Sequence, residues 1–113
     1  MMANPQVSGV ELELDMLPDW KEPMVCTAES MKLVYQAQEL ACALGFALEH
    51  EMTGGAGDAG YASQAGVPVL DGLGPIGGGD HSPREFLRLD SIAPRAALLA
   101  GLAASVGSRL VDL

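Results

Sequence analysis

A chain of 113 residues fits one small domain or a piece of a larger one. Six Lys plus Arg face fifteen Asp plus Glu, a formal net charge of −9. No cations cluster, which excludes the phosphate contacts that nucleic-acid binding needs and disfavours an anionic membrane surface. Hydrophobic residues make up 49% of the chain, so its composition is that of a folded protein, but aromatics supply only 4%. Its core must be built from Leu, Ala, Val and Met.

Near the N-terminus Val10, Leu12, Leu14 and Met16 alternate with Glu11, Glu13 and Asp15, the period of two of a half-buried strand with one wet face. Pro18 ends it, and residues 18–23 read as a connector. Thr27 is placed to cap a helix with Glu29 in its first turn, running to about Leu44 and stopped by Gly45. One stripe of that helix carries Met31, Val34, Gln38 and Ala41, another Leu33, Ala37, Leu40 and Leu44. Phe46, Leu48, His50 and Met52 then alternate with Ala47, Glu49 and Glu51, which predicts a second strand with His50 in a structural position.

Residues 53–58 form a Gly-rich turn ending in Asp58, a helix cap, before a short helix to about Ala65 and a stop at Gly66. Val67, Pro68, Val69 and Leu70 suggest a short buried strand, with the proline near its start. A second Gly-rich loop, 72–79, leads to Asp80 and His81. Ser82 and Glu85 then have the spacing of a capping box with Pro83 at the first helical position, and Ser91 precedes a helix over about 92–106. The apolar stretch 96–106 is short for a membrane span. From Thr27 onward the order helix, strand, helix, strand, helix argues an α/β fold. The strand at 10–16 reads as belonging to a different body across the connector.

Two Gly-rich loops at the ends of successive strands mark the edge where open α/β sheets bind ligands, because backbone groups and helix N-termini converge there. His81 sits at the mouth of the second loop, where a following turn can fix an imidazole toward a metal or a substrate. A lone His on a turn is commonly only a surface residue, and zinc needs three or four protein ligands. Neither loop ends in the Lys-Ser/Thr of a phosphate cradle. Asp58 fits a cap better than an acid catalyst, while Asp71 and Asp80 lie near enough in sequence to His81 to serve as its partners. Cys26 and Cys42 stand outside any CxxC pair and are expected as reduced thiols of a cytoplasmic protein. The opening nine residues lack the basic-then-apolar pattern of a signal peptide.

The order GGAGDAGYA, then GVPVLDGLGPIGGGDHS, then a helix containing IAPRAALLA resembles the C-terminal end of the zinc metallopeptidases of the glutamate carboxypeptidase type. Aminoacylases and succinyl-diaminopimelate desuccinylase are relatives of that family. The resemblance extends upstream through the EPM segment and the ALGF turn, which match the family's return from its small lid domain. It implies a partial three-layer α/β/α catalytic domain over residues 19–113, preceded at 1–18 by the terminal strand of a lid, or dimerisation, domain. It also implies a two-zinc centre, or another divalent metal, with His81 as a metal ligand and Gly54, Gly55 and Ala56 offering backbone groups to the substrate. The expected reaction is hydrolysis of an amide next to a free carboxylate, in a peptide or N-acyl amino acid, with the complete enzyme a homodimer.

Two positions depart from the family pattern: Gly57 stands where Ser is common, and Glu22 where many relatives carry Arg. The family's remaining ligands and its general base come from a His-x-Asp motif, a bridging Asp and a Glu-Glu pair. This sequence contains neither HxD nor Glu-Glu, so no catalytic residue is assigned within it. The expectation is a fragment inactive alone, partnered by an N-terminal catalytic half. The competing expectation is a non-catalytic binding module derived from the same fold.

Overall fold

The structure, a computed structural model, describes residues 6–16, 22–53 and 55–111, with side chains as far as Ser108. Thr27 opens the first helix as expected. Its backbone is extended, and its Oγ1 accepts from the Ser30 N–H at 3.1 Å, satisfying one of the donors a helix start leaves over. Helix α1 spans Ala28–Ala43 and stops where Gly45 takes φ +89°. Helix α2 spans Ala59–Gln64, and Gly66 ends it with φ +78°. Asp58 occupies its N-cap position but forms no side-chain cap bond there.

The long C-terminal helix, α3, spans Ile92–Val111, extending beyond the expected end near residue 106. By length and apolar composition alone the stretch Leu89–Ser108 would suffice to cross a membrane. Here it packs on α1 instead, with Leu98 and Leu102 against Ala37 and Ala41. Small residues on α1 let the leucines of α3 sink in, and the Leu40 side chain covers Gly101. Gln36 Nε2 donates to Ser105 Oγ at 2.6 Å across the same seam.

Leu40, Phe46, Leu48, Leu70 and Leu73 pack around this four-residue core. The expected strands at 46–52 and 67–70 do not form among the described residues: both segments are without regular secondary structure, and neither joins a ladder. The alternation holds in burial only over 46–49: Phe46 and Leu48 pack on the core while Ala47 and Glu49 face out, and the expected inward positions His50 and Met52 are exposed. Gln38 on α1 donates to the Leu48 carbonyl at 3.0 Å and approaches His50 Nδ1 at 3.4 Å. A strand needs a neighbour to take its N–H and C=O groups. At 10–16 Glu13 makes one isolated bridge and the apolar side chains are exposed; the 18–23 connector lies mostly outside the described residues.

The sheet that does form is a hairpin. Strand β1, Gly77–Gly78, pairs antiparallel with β2, Phe86–Leu87, in the register Gly77 to Leu87 and Gly78 to Phe86. This corrects the reading of Ser82-Pro83-Arg84-Glu85 as a helix start. The Ser82 hydroxyl donates to the Gly79 carbonyl at 2.6 Å and accepts from the Arg84 N–H at 3.2 Å, so it is spent on a turn that sends the chain back along β1. Ser91 was also expected as a simple cap. It is buried at the end of a 3-10 turn, Leu89–Ser91, where its Oγ accepts from the Ile76 N–H at 2.9 Å and donates to the Arg88 carbonyl at 2.6 Å. That hydroxyl ties the hairpin to the start of α3. Ser91→Ala is expected to cost about 1–3 kcal/mol, because the partly buried Ile76 N–H loses its partner. Urea unfolding checks this, with the midpoint falling and the slope unchanged.

The molecule measures 59 × 40 × 20 Å with a radius of gyration of 18.8 Å, against about 13 Å for a compact chain of similar length. Its accessible surface is 9108 Å², whereas a compact protein of this mass exposes roughly 5,900 Å². The excess is on the scale of an obligate protein interface. Mixed α/β architecture is present, and many large apolar side chains among the described residues are exposed.

Candidate functional site

Glycine carries the hairpin. Gly79 has φ +73°, and a Cβ there would stand 2.8 Å from the Arg84 carbonyl oxygen. The next turn, Gly79 to Ser82, closes with the Ser82 N–H on the Gly79 carbonyl at 3.1 Å. His81 occupies its second central position with φ +62°, alone in that region among the described non-glycine residues. That position of a turn normally takes Gly or Asn. A side chain there costs roughly 1–2 kcal/mol of backbone strain, and such strain collects at functional sites. His81 is exposed at the hairpin tip, and no side chain among the described residues bonds to its ring. Beside it lies an open groove of about 490 Å³ lined by Pro75, Gly77, Asp80, Glu85, Phe86 and Leu87.

The first glycine-rich loop approaches the second through Asp71. That carboxylate accepts from the Gly72 N–H at 2.7 Å through Oδ1, while Oδ2 lies 3.2 Å from where a Cβ on Gly57 would be. The two loops, 14 positions apart at these residues, thus touch at Gly57 and Asp71, and the missing side chain at 57 leaves room for the carboxylate. Of the three residues expected to face substrate, Gly55 and Ala56 are exposed, and Gly54 lies outside the described residues.

Among the described residues no group of three or more His, Cys, Asp and Glu side chains converges as a metal site would require. His81 is a single candidate donor, so the described residues do not by themselves fit a zinc ion, and no chemical step follows from them through a metal. Neither Asp71, which accepts from the Gly72 N–H, nor Asp80 bonds to His81. His50 is exposed, with its Nδ1 3.4 Å from Gln38 Nε2.

Cys26 and Cys42 are exposed and free. They bracket α1, which at about 1.5 Å per residue places them roughly 20 Å apart, far beyond disulfide reach. Past the hairpin, Arg88 makes a two-bond fork to Asp90, at 3.2 and 2.7 Å. That hydrogen bonding holds the Asp90 carboxyl below its ordinary range and raises Arg88. Its small stabilisation is present above the ordinary carboxylate pKa and fades on acidification through the depressed one.

Three contacts escaped the sequence reading: the Ser91 tie, the seat of Glu22 on Gly60, and the bond from the Val25 N–H to Ser63 Oγ. One signal was available. A glycine inside a six-residue helix is costly unless something presses on it, and Gly60 is buried under the Glu22 carbonyl.

Comparison with curated proteins and with solved structures finds no match. The profile of Peptidase family M20/M25/M40 matches residues 5–105, which takes in both glycine-rich loops, the hairpin with His81 and most of α3. With nearly the whole chain covered, this protein belongs to Peptidase family M20/M25/M40.

Proposed function

We propose that the chain is the C-terminal part of the catalytic domain of a zinc metallopeptidase of the glutamate carboxypeptidase type, hydrolysing an amide next to a free carboxylate in a peptide or N-acyl amino acid. The family is one of metal-dependent peptidases. The observation that carries the finer reading is His81, held in a strained backbone at the tip of a glycine-built hairpin inside the matched region. In this reading His81 is one ligand of a two-zinc centre, and Gly54, Gly55 and Ala56 offer backbone groups to the substrate. Residues 1–18 end a lid domain, and 19–113 belong to a three-layer catalytic domain in the cytoplasm.

The other ligands and the general base come from a complementary N-terminal half. Its strands would cover 46–52 and 67–70, which join no ladder among the described residues. The excess accessible surface supports this, since it is of the size such an association buries. The complete enzyme would dimerise, as family members often do.

Two measurements test the proposal. Zinc titration of the isolated chain is expected to give weak binding, because affinity follows ligand number and one imidazole is not a site. Stoichiometric sub-micromolar binding would contradict it. Co-expression with an HxD-bearing upstream half should then yield a zinc-loaded complex that releases a C-terminal amino acid from N-acyl substrates. A stable complex without zinc or hydrolysis would favour a non-catalytic binding module.

A further inference from the structure

Helix α2 is six residues long, far too short to hold itself in water, and its N-cap side chain makes no capping bond. Its place must come from what it touches. The first glycine-rich loop runs directly into it, so whatever positions α2 also positions residues 55–58. Two contacts from a single strand-like segment, 22–25, meet one face of this helix. Gly60 is buried with the Glu22 carbonyl so close that any Cβ would collide with it. One turn on, Ser63 Oγ accepts from the Val25 N–H at 3.0 Å. Residues 60 and 63 are i and i+3 neighbours on a helix surface, so both contacts fall on the same stripe.

The other end of the segment is fixed as well. Two residues after Val25 stands Thr27, whose hydroxyl caps α1, and α1 is packed on α3 in the core. The segment is therefore a strap stretched from the helical core to α2.

We propose that this strap sets the position of the first glycine-rich loop, with Gly60 and Ser63 as positioning residues. Its consequence for substrate rests on the reading of 55–56 as substrate-facing; the positioning itself does not. The strap backbone fills the space a Cβ on Gly60 would need, and the Ser63 hydroxyl accepts from the exposed Val25 N–H.

The test is 15N relaxation on the full chain and on Ser63→Ala, Ser63→Thr and Gly60→Ala. In the unsubstituted chain the amides of 55–58 should share the rigidity of α2. Ser63→Ala should lower their order parameters from near ~0.85 toward ~0.6 or below, with α1 and α3 unchanged. Gly60→Ala should do so more strongly, and Ser63→Thr, which keeps the hydroxyl, should restore them. Unchanged values at 55–58 in both Ala variants would overturn the proposal. So would mobile 22–25 in the unsubstituted chain, a failure of Ser63→Thr to rescue, or loosening that spreads equally to α1 and α3. Neither zinc nor turnover enters this measurement, so its failure leaves the metallopeptidase reading untouched.

Discussion

Replacing His81 by glycine in the complete enzyme is expected to lower turnover by more than ~100-fold while leaving the protein as stable as before, or more so. Loss of even the outer partners of a metal ligand costs about 10–100-fold, so loss of a ligand should cost more. Stability runs the other way because of the backbone. His81 sits at φ +62°, where a side chain costs roughly 1–2 kcal/mol that glycine does not pay, set against about 0.5–1 kcal/mol of added chain entropy in the unfolded state. The net is a gain of up to ~1 kcal/mol. His81→Ala keeps the Cβ and the strain, so its melting temperature should match the parent while its zinc content and turnover fall. Melting temperature, bound zinc and turnover of both variants, measured side by side, decide the matter. Full zinc with normal turnover in either variant would remove His81 from the site. A clear stability loss in His81→Gly would mean that the ring is structural.

Leu98→Ala is expected to be the most damaging single change to the fold. Among the described residues Leu98 is the largest side chain fully removed from solvent, and it stands in a core of Ala37, Ala41, Leu98 and Leu102. Truncating a buried leucine costs about 2–5 kcal/mol when the surroundings cannot close over the cavity. Small-residue neighbours have little side chain to move into the gap. In a chain that leaves so much apolar surface open, that amount is comparable to its whole stability. Loss of a cooperative thermal transition is the expected readout. Leu99→Ala, one position along α3 and 53% exposed, should change stability by no more than about 0.5 kcal/mol. Equal effects at 98 and 99 would show that α3 does not pack on α1 through this face.

Helix α1 was legible to within a residue because its signals are local. A Thr cap, an acidic first turn and a glycine stop act within a few positions of the backbone they satisfy. The turn at Ser82 was misread for the same kind of reason. A Ser-Pro-x-Glu spacing satisfies a helix start and a hairpin turn alike, and what chose the turn was Phe86 and Leu87 pairing back onto Gly77 and Gly78. The segments at 46–52 and 67–70 show the converse. At 46–49 the period of two set which side chains face the helices, but sequence pattern cannot supply the neighbouring strand that would make either segment part of a sheet.

By itself, then, the sequence determined the two glycine-rich loops, the Thr27-capped helix α1, His81 as the one imidazole at a loop mouth, and the motif order that places the chain in its family. Those features are carried by residue identity and short spacing. Only the tertiary structure decided that His81 bears a left-handed backbone, that Gly57 makes room for Asp71, that Ser91 fastens the hairpin to α3, and that the strap from Glu22 to Val25 seats on Gly60 and Ser63. Each of these joins residues up to 38 positions apart, or turns on a backbone angle that no local pattern specifies. They come into being when the chain packs, because a carbonyl that needs a donor, or a carboxylate that needs space, finds it wherever the fold brings one within about 3 Å.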